Sequence, residues 1–252
     1  MRLLWNGSGL LLGTLAAFAA SGTAAAQSLY VRGGLSGELS AVTDLLGDYC
    51  ADIVPGGVGC EADGDLGRGD FGDGFALDVG VGYRLLPMVR AELLLSYRPD
   101  ADFWGSLDPA GALAGQPVSA EGTVLTAMAV GYLDLPGIWR FQPFVGAGIG
   151  ASYNWLDALT FRFPELDAVA EAVTQGGGSF DFTYMLTAGT AIHVTDRLSL
   201  DLAYRYTDLG TVRTEAGPAE LAGAGGTMVV ELGGAAADHR THGVAASLRF
   251  EF

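Results

Sequence analysis

The sequence predicts an all-β protein, an eight-stranded antiparallel up-and-down transmembrane β-barrel. Three observations lead there. Eight segments alternate apolar and polar residues with a period of two, the signature of a strand with two different faces. The connections between them alternate long and short. Half of the chain is hydrophobic and its mean hydropathy is +0.32, yet no apolar run after Gln27 is long enough for a membrane helix.

Residues 1–26 read as a signal peptide. One Arg opens them, an apolar segment runs from Leu10 to Ala20, and Ala24-Ala25-Ala26 has the small residues that a signal peptidase accepts. Residues 27–252 then form one barrel. Its strands fall at about 29–40, 75–85, 89–100, 119–133, 141–155, 180–194, 198–209 and 242–252, most of them close to the ten residues that cross a membrane at a tilt. The long connections are 41–74, 101–118, 156–179 and 210–241; the short ones are 86–88, 134–140 and 195–197. An even count brings the last strand back beside the first, so the sheet can close without an edge.

Parity within each strand separates two residue sets. One is apolar or aromatic, as in Phe75, Leu77, Val79, Val81 and Tyr83, or Leu198, Leu200, Leu202, Tyr204 and Tyr206. The other carries Arg32, Glu38, Asp78, Arg84, Arg90, Glu92, Arg98, Glu121, Asp181, Asp201, Arg205, Arg249 and Glu251, with Gln142, Asn154 and His193. A soluble barrel would have to bury these charges in a dry core, at prohibitive cost. The assignment is therefore charges inward and apolar residues toward lipid. Trp139 at a short turn, with Trp104 and Trp155 at the opposite strand ends, falls where interfacial girdles lie.

The inward set has arginines and acids in near balance, which implies a plugged lumen. Arg84 and Arg90 flank the turn at 86–88, so they become cross-strand neighbours, and two like charges so placed require carboxylates between them. Glu92, on the diagonal, and Glu251 are the expected partners in a network of Arg32, Asp78, Arg84, Arg90, Glu92, Asp201, Arg205, Arg249 and Glu251. Guanidinium suits it because its planar fork can bind two carboxylate oxygens at once.

PFVGAGIGASYNW (143–155), TDRLSLDLAYRYTDLGTVRT (195–214) and the final SLRFEF resemble the eight-stranded outer-membrane barrel superfamily of OmpA transmembrane domains, opacity-type proteins and alphaproteobacterial surface antigens. The resemblance implies a place in a bacterial outer membrane, contact with lipopolysaccharide, and passage through the barrel-assembly machinery. In that family, alternating apolar residues that end in an aromatic, here Phe250 and Phe252, act as the assembly signal.

Other motifs are weaker. Cys50 and Cys60 in an exported chain most simply form one disulfide. Glu61, Asp63, Asp65, Asp70 and Asp73 offer oxygen ligands among glycines, but their spacing does not match the twelve-residue calcium loop. They read as a solvated acidic loop with weak cation binding and no dedicated metal. Arg68-Gly69-Asp70 spells the tripeptide that integrins read, in a composition where it arises easily. FPELDAVAEAV (163–173) could form a short amphipathic helix capping the barrel mouth. His193, His239 and His242 lack the serine and acid arrangement of a lipid-modifying enzyme, and no cofactor is implied.

A net charge of −16, with no lysine, argues against nucleic acid as a partner. These readings converge on a non-enzymatic surface barrel with acidic extracellular loops, in a structural or surface-interaction role toward a host or extracellular ligand. A narrow channel for ions or small solutes is the alternative.

Overall fold

The computed structural model describes residues 29–47, 65–107, 117–157, 160–162, 171–173, 176–214, 217–223, 226–232 and 235–252. The segment read as a signal peptide, Cys50 and Cys60 lie outside these residues.

Eight long strands form the wall: β1 (Leu29–Ser40), β2 (Asp73–Leu86), β3 (Val89–Arg98), β4 (Gly122–Asp134), β5 (Phe141–Leu156), β6 (Gly177–His193), β7 (Leu198–Arg213) and β8 (Ala235–Glu251). Each pairs antiparallel with its neighbours in sequence, and β8 returns to β1 in register from Tyr30↔Glu251 to Ser40↔Thr241. Closure satisfies every strand edge, as a wall surrounded by lipid requires. β7 carries an irregularity between Asp208 and Thr211, where Gly210 takes a φ of +79°.

The alternation of faces is what the sequence pattern requires. On β2 the outward Phe75, Leu77, Val79, Val81 and Tyr83 are exposed, while Asp78 between them is buried. On β8 the outward Val244, Leu248, Phe250 and Phe252 are apolar and exposed, and the next outward positions toward the long-connection end are His242 and Arg240. That change of character marks the edge of a continuous apolar belt. Trp139 and Ile138 stand exposed at the short-turn end, and Trp155, Tyr153 and Phe180 cluster near the other edge.

The long connections are not the plain loops that the sequence suggests. Short strands at Thr43–Gly47, Asp65–Asp70, Phe103–Leu107, Pro117–Ala120, Thr160–Arg162, Glu171–Val173, Gly217–Gly223 and Gly226–Leu232 continue the eight barrel strands past brief breaks. They pair in the same neighbour order as the strands below, and Leu45–Gly47 joins the rim end of β8. The wall thus extends as a second tier beyond the apolar belt. Glu171–Val173 belongs to this tier, hydrogen-bonded to strands on both sides, which corrects the helix expected over 163–173. Residues 163–170 lie outside the described ones.

Candidate functional site

Among the described residues, the buried charged side chains gather in the lumen, and it is filled in layers. At the short-turn end, Asp134 at the end of β4 accepts hydrogen bonds from Arg90 Nε and Nη2, the latter at 2.8 Å, and from Arg84 Nη1 at 3.0 Å. Arg84 Nη2 reaches Glu251 at 2.9 Å; Glu251 also binds Arg249, whose Nε meets Asp201 at 3.1 Å. Asp201, Arg249, Glu251, Arg84, Asp134 and Arg90 therefore form one chain of alternating charge across the mouth. The Arg90 guanidinium lies 4.7 Å from the centre of the Tyr132 ring, with Phe144 and Tyr30 at 5.5 and 5.6 Å, and Arg249 also stacks over Tyr30. Ring faces and carboxylates together replace the water these cations have lost.

The middle layer holds two separate pairs, Arg32 with Glu92 and Arg205 with Asp78, each at 2.7 Å; Ser96 also donates to Asp78. Toward the rim, Arg98 binds both oxygens of Glu38, at 2.6 and 3.0 Å, and Ser36 and Thr241 donate to the same carboxylate. Two inward glycines on β2 make room for this filling. A Cβ on Gly80 would stand 2.7 Å from Glu92 Oε1, and one on Gly82 would collide with the Tyr30 ring.

Above the Arg98–Glu38 pair the lumen becomes apolar. His239 is fully buried and stacks on Phe71 with 4.1 Å between ring centres. Beyond it Leu45, Phe71, Phe103, Val118, Ala120, Leu156, Val212, Ala235 and Ala237 form a core inside the second tier. The space left among them is only about 10 Å³, too little for more than one water.

All nine residues expected in the lumen network lie at the lumen, but the pairing differs from the expectation. Arg84 and Arg90 do face each other, as the turn dictates. The carboxylate between them is Asp134, whereas Glu92 serves Arg32. Asp134 falls in the short connection predicted at 134–140, but β4 runs through it and turns its side chain inward. Tyr30, Tyr132 and Phe144 were also missed: Tyr132 lies on β4, which is apolar on both faces, whereas Tyr30 and Phe144 share the inward parity of Arg32 and Gln142 and could have been placed by it. Glu121, expected to point inward, is exposed, because the chain breaks at that residue between Pro117–Ala120 and β4. Asp181 sits at the rim, where it accepts from the Thr211 amide and pairs with Arg213.

Of the acidic-loop residues, Glu61 and Asp63 lie outside the described residues and only the backbone of Asp65 is described. Asp70 accepts from the Gly72 amide at 2.9 Å, and Asp73 is exposed. Arg68-Gly69-Asp70 is held as a strand between two others, with Arg68 paired to Asp44 at 3.0 Å. That is a poor presentation for a loop-binding receptor. Phe250 and Phe252 face outward with their rings edge to face, and the Phe252 amide donates to the Leu29 carbonyl.

A sequence model of the outer membrane protein beta-barrel domain matches residues 10–250. The chain belongs to that family. Its wall is an eight-stranded outer-membrane barrel, its place is the outer membrane, and its short turns and extended second tier correspond to the periplasmic and outer sides of such barrels. An uncharacterized protein of Brucella abortus (strain 2308) is 34% identical over 146 residues, 53% of this chain and 51% of that protein, so the chain spans about half the length of this relative. A Rickettsia bellii (strain RML369-C) protein named "Putative adhesin" is 29% identical over 182 residues, 70% of this chain and 75% of that one. Among solved structures, OprG of Pseudomonas aeruginosa aligns with a TM-score of 0.49 and 14% identity, covering 90% of this chain and 97% of that one. Neisserial surface protein A gives 0.46 and 14%, covering 89% and 97%.

Proposed function

We propose that this outer-membrane barrel is a non-enzymatic surface protein, sealed along its lumen, whose role is structural or interactive and is exerted by its outward surfaces. The observation that carries the reading is the layered filling: an ionic network at the periplasmic mouth, arginine–carboxylate pairs in the middle, and an apolar core in the outer tier. Eight strands enclose little more than the space such side chains occupy. The name of the Rickettsia relative agrees with a surface-interaction role.

The histidines support the non-enzymatic reading. His193 bonds Ser199 Oγ at 2.9 Å and Gln142 at 3.1 Å. The orienting group is a neutral amide and the serine is buried, so an imidazolium formed during attack would lack a stabilising carboxylate. His242 is bonded to the Tyr204 hydroxyl on the outer face, and His239 is buried against Phe71.

A second reading, a narrow hydrated channel, rests on buried lumen atoms without a protein partner: Arg205 Nε and Nη1, Thr207 Oγ1 and Asn154 Oδ1. Liposome swelling separates the two. Vesicles carrying the purified protein should swell in isotonic arabinose no faster than empty ones. Swelling at a porin's rate would replace the sealed reading with the channel.

A further inference from the structure

We propose that the outer face of β4 and β5 carries a groove that selects an outer-leaflet lipid with an ammonium headgroup. Two recesses adjoin there. The lower, about 270 Å³, is lined by Leu125, Tyr153 and Trp155 at the outer edge of the apolar belt. The upper, about 320 Å³, shares Thr123, Trp155 and Asp157 with it and opens among Asp100, Asp102 and Glu121. The pair has the shape of an amphiphile: an apolar trough at acyl-chain depth that continues into a polar chamber at headgroup depth.

The chemistry of each half narrows the occupant. The trough has an aromatic wall of Tyr153 and Trp155, set edge to face with ring centres 6.3 Å apart, and Tyr153 is backed by the tilted Phe180 ring at 4.6 Å. The Trp155 indole N–H is turned to Asp157 at 3.1 Å, and the Gly122 amide fixes Asp102 at 3.0 Å, so both carboxylates are positioned. Every arginine with a described side chain lies elsewhere. Those outside the lumen are Arg68, held by Asp44; Arg213 and Arg240, paired on β7 and β8; and Arg140 and Arg197 at the periplasmic turns. Among the described side chains the chamber is therefore acidic without a counter-charge. It disfavours phosphate and favours a cation, which the Trp155 face can also attract. An apolar belt alone would contact all lipids equally; the carboxylates above this stretch make the contact selective. The groove lies outside the barrel and is independent of the state of the lumen.

Trp155 reports directly on the occupant. In a variant with Trp5, Trp104 and Trp139 replaced by phenylalanine, held in uncharged maltoside micelles, its fluorescence is titrated with brominated lipids bearing trimethylammonium or phosphoglycerol headgroups. The ammonium lipid should quench at about fivefold lower mole fraction, the preference expected for one unit charge beside an oppositely charged surface. Asp100→Asn, Asp102→Asn, Glu121→Gln and Asp157→Asn together should remove the preference, with heat-modifiable gel migration confirming the folded barrel. Should that variant not fold, 1 M salt on the parent protein should abolish the preference instead, because the screening length falls to about 3 Å. Equal quenching by both lipids in the parent, or a preference that survives neutralisation or salt, overturns the proposal.

Discussion

Replacing Asp134 with alanine removes the carboxylate on which the periplasmic end of the plug depends. Asp134 and Arg90 are each only 1% exposed, and Asp134 receives bonds from both Arg90 and Arg84. Without it two guanidinium groups face each other across one strand pair. Glu251 still binds Arg84, but Arg90 keeps only aromatic faces. Breaking a buried pair from one side costs about 3–5 kcal/mol, because the remaining charge stays buried without compensation. The like-charge contact adds to that figure. The exposed pair Arg68–Asp44 is the internal control, and Asp44→Ala should cost less than about 0.5 kcal/mol. Urea unfolding in detergent micelles, followed by the shift between folded and unfolded gel bands, measures both. Arg90→Met in the Asp134→Ala background should recover part of the loss by removing the orphaned charge. If Asp134→Ala proves as mild as Asp44→Ala, the network is a loosely hydrated set of charges and the reasoning fails.

Other consequences can be checked separately. Phe252→Asp places a charge on the lipid face beside Leu29 and should leave unfolded protein in the periplasm; normal surface levels on fractionation would refute its role in assembly. Gly82→Ala drives a methyl group into Tyr30, the ring shared by Arg90 and Arg249, and should destabilise the barrel by about 1–3 kcal/mol in the same urea assay. His239 lies above the apolar belt, level with the outward Asp238 and Arg240, and burial, with Arg98 beside it, holds its imidazole down to about 3 from an ordinary 6.5. The unfolded second tier binds that proton first. Its stability should therefore be complete above pH 6.5 and fall steadily as the pH drops from there toward 3. Limited proteolysis of the outer tier across that range should show increasing cleavage that His239→Phe reduces.

The wall was legible because period-two alternation survives wherever one face meets lipid. β1 runs from Leu29 to Ser40, as its pattern indicates, and the parity of β2 and β8 places Asp78 and Arg249 inside. The second tier was not legible, since its strands are only three to seven residues long and mix glycine with acids, as in Asp65–Asp70 or Gly217–Gly223. Their pairing comes from continuity with the strands beneath. The charge network was readable as a set of residues but not as a set of contacts. Which carboxylate meets which arginine depends on stagger around the barrel, and that brings Asp134 from β4 under Arg84 of β2 across the intervening β3. Of the aromatic filling, Tyr132 carries no parity signal because β4 is apolar on both faces, whereas Tyr30 and Phe144 share the inward parity of Arg32 and Gln142.

Steady-state current through single proteins in planar bilayers tests the sealed lumen most directly. With the ionic chain at the periplasmic mouth and the apolar core of Phe71, Phe103 and Leu156 in the outer tier both intact, the unmodified protein should show no stable conductance steps. Large, long-lived steps in that protein would contradict the sealed lumen and make the barrel a channel.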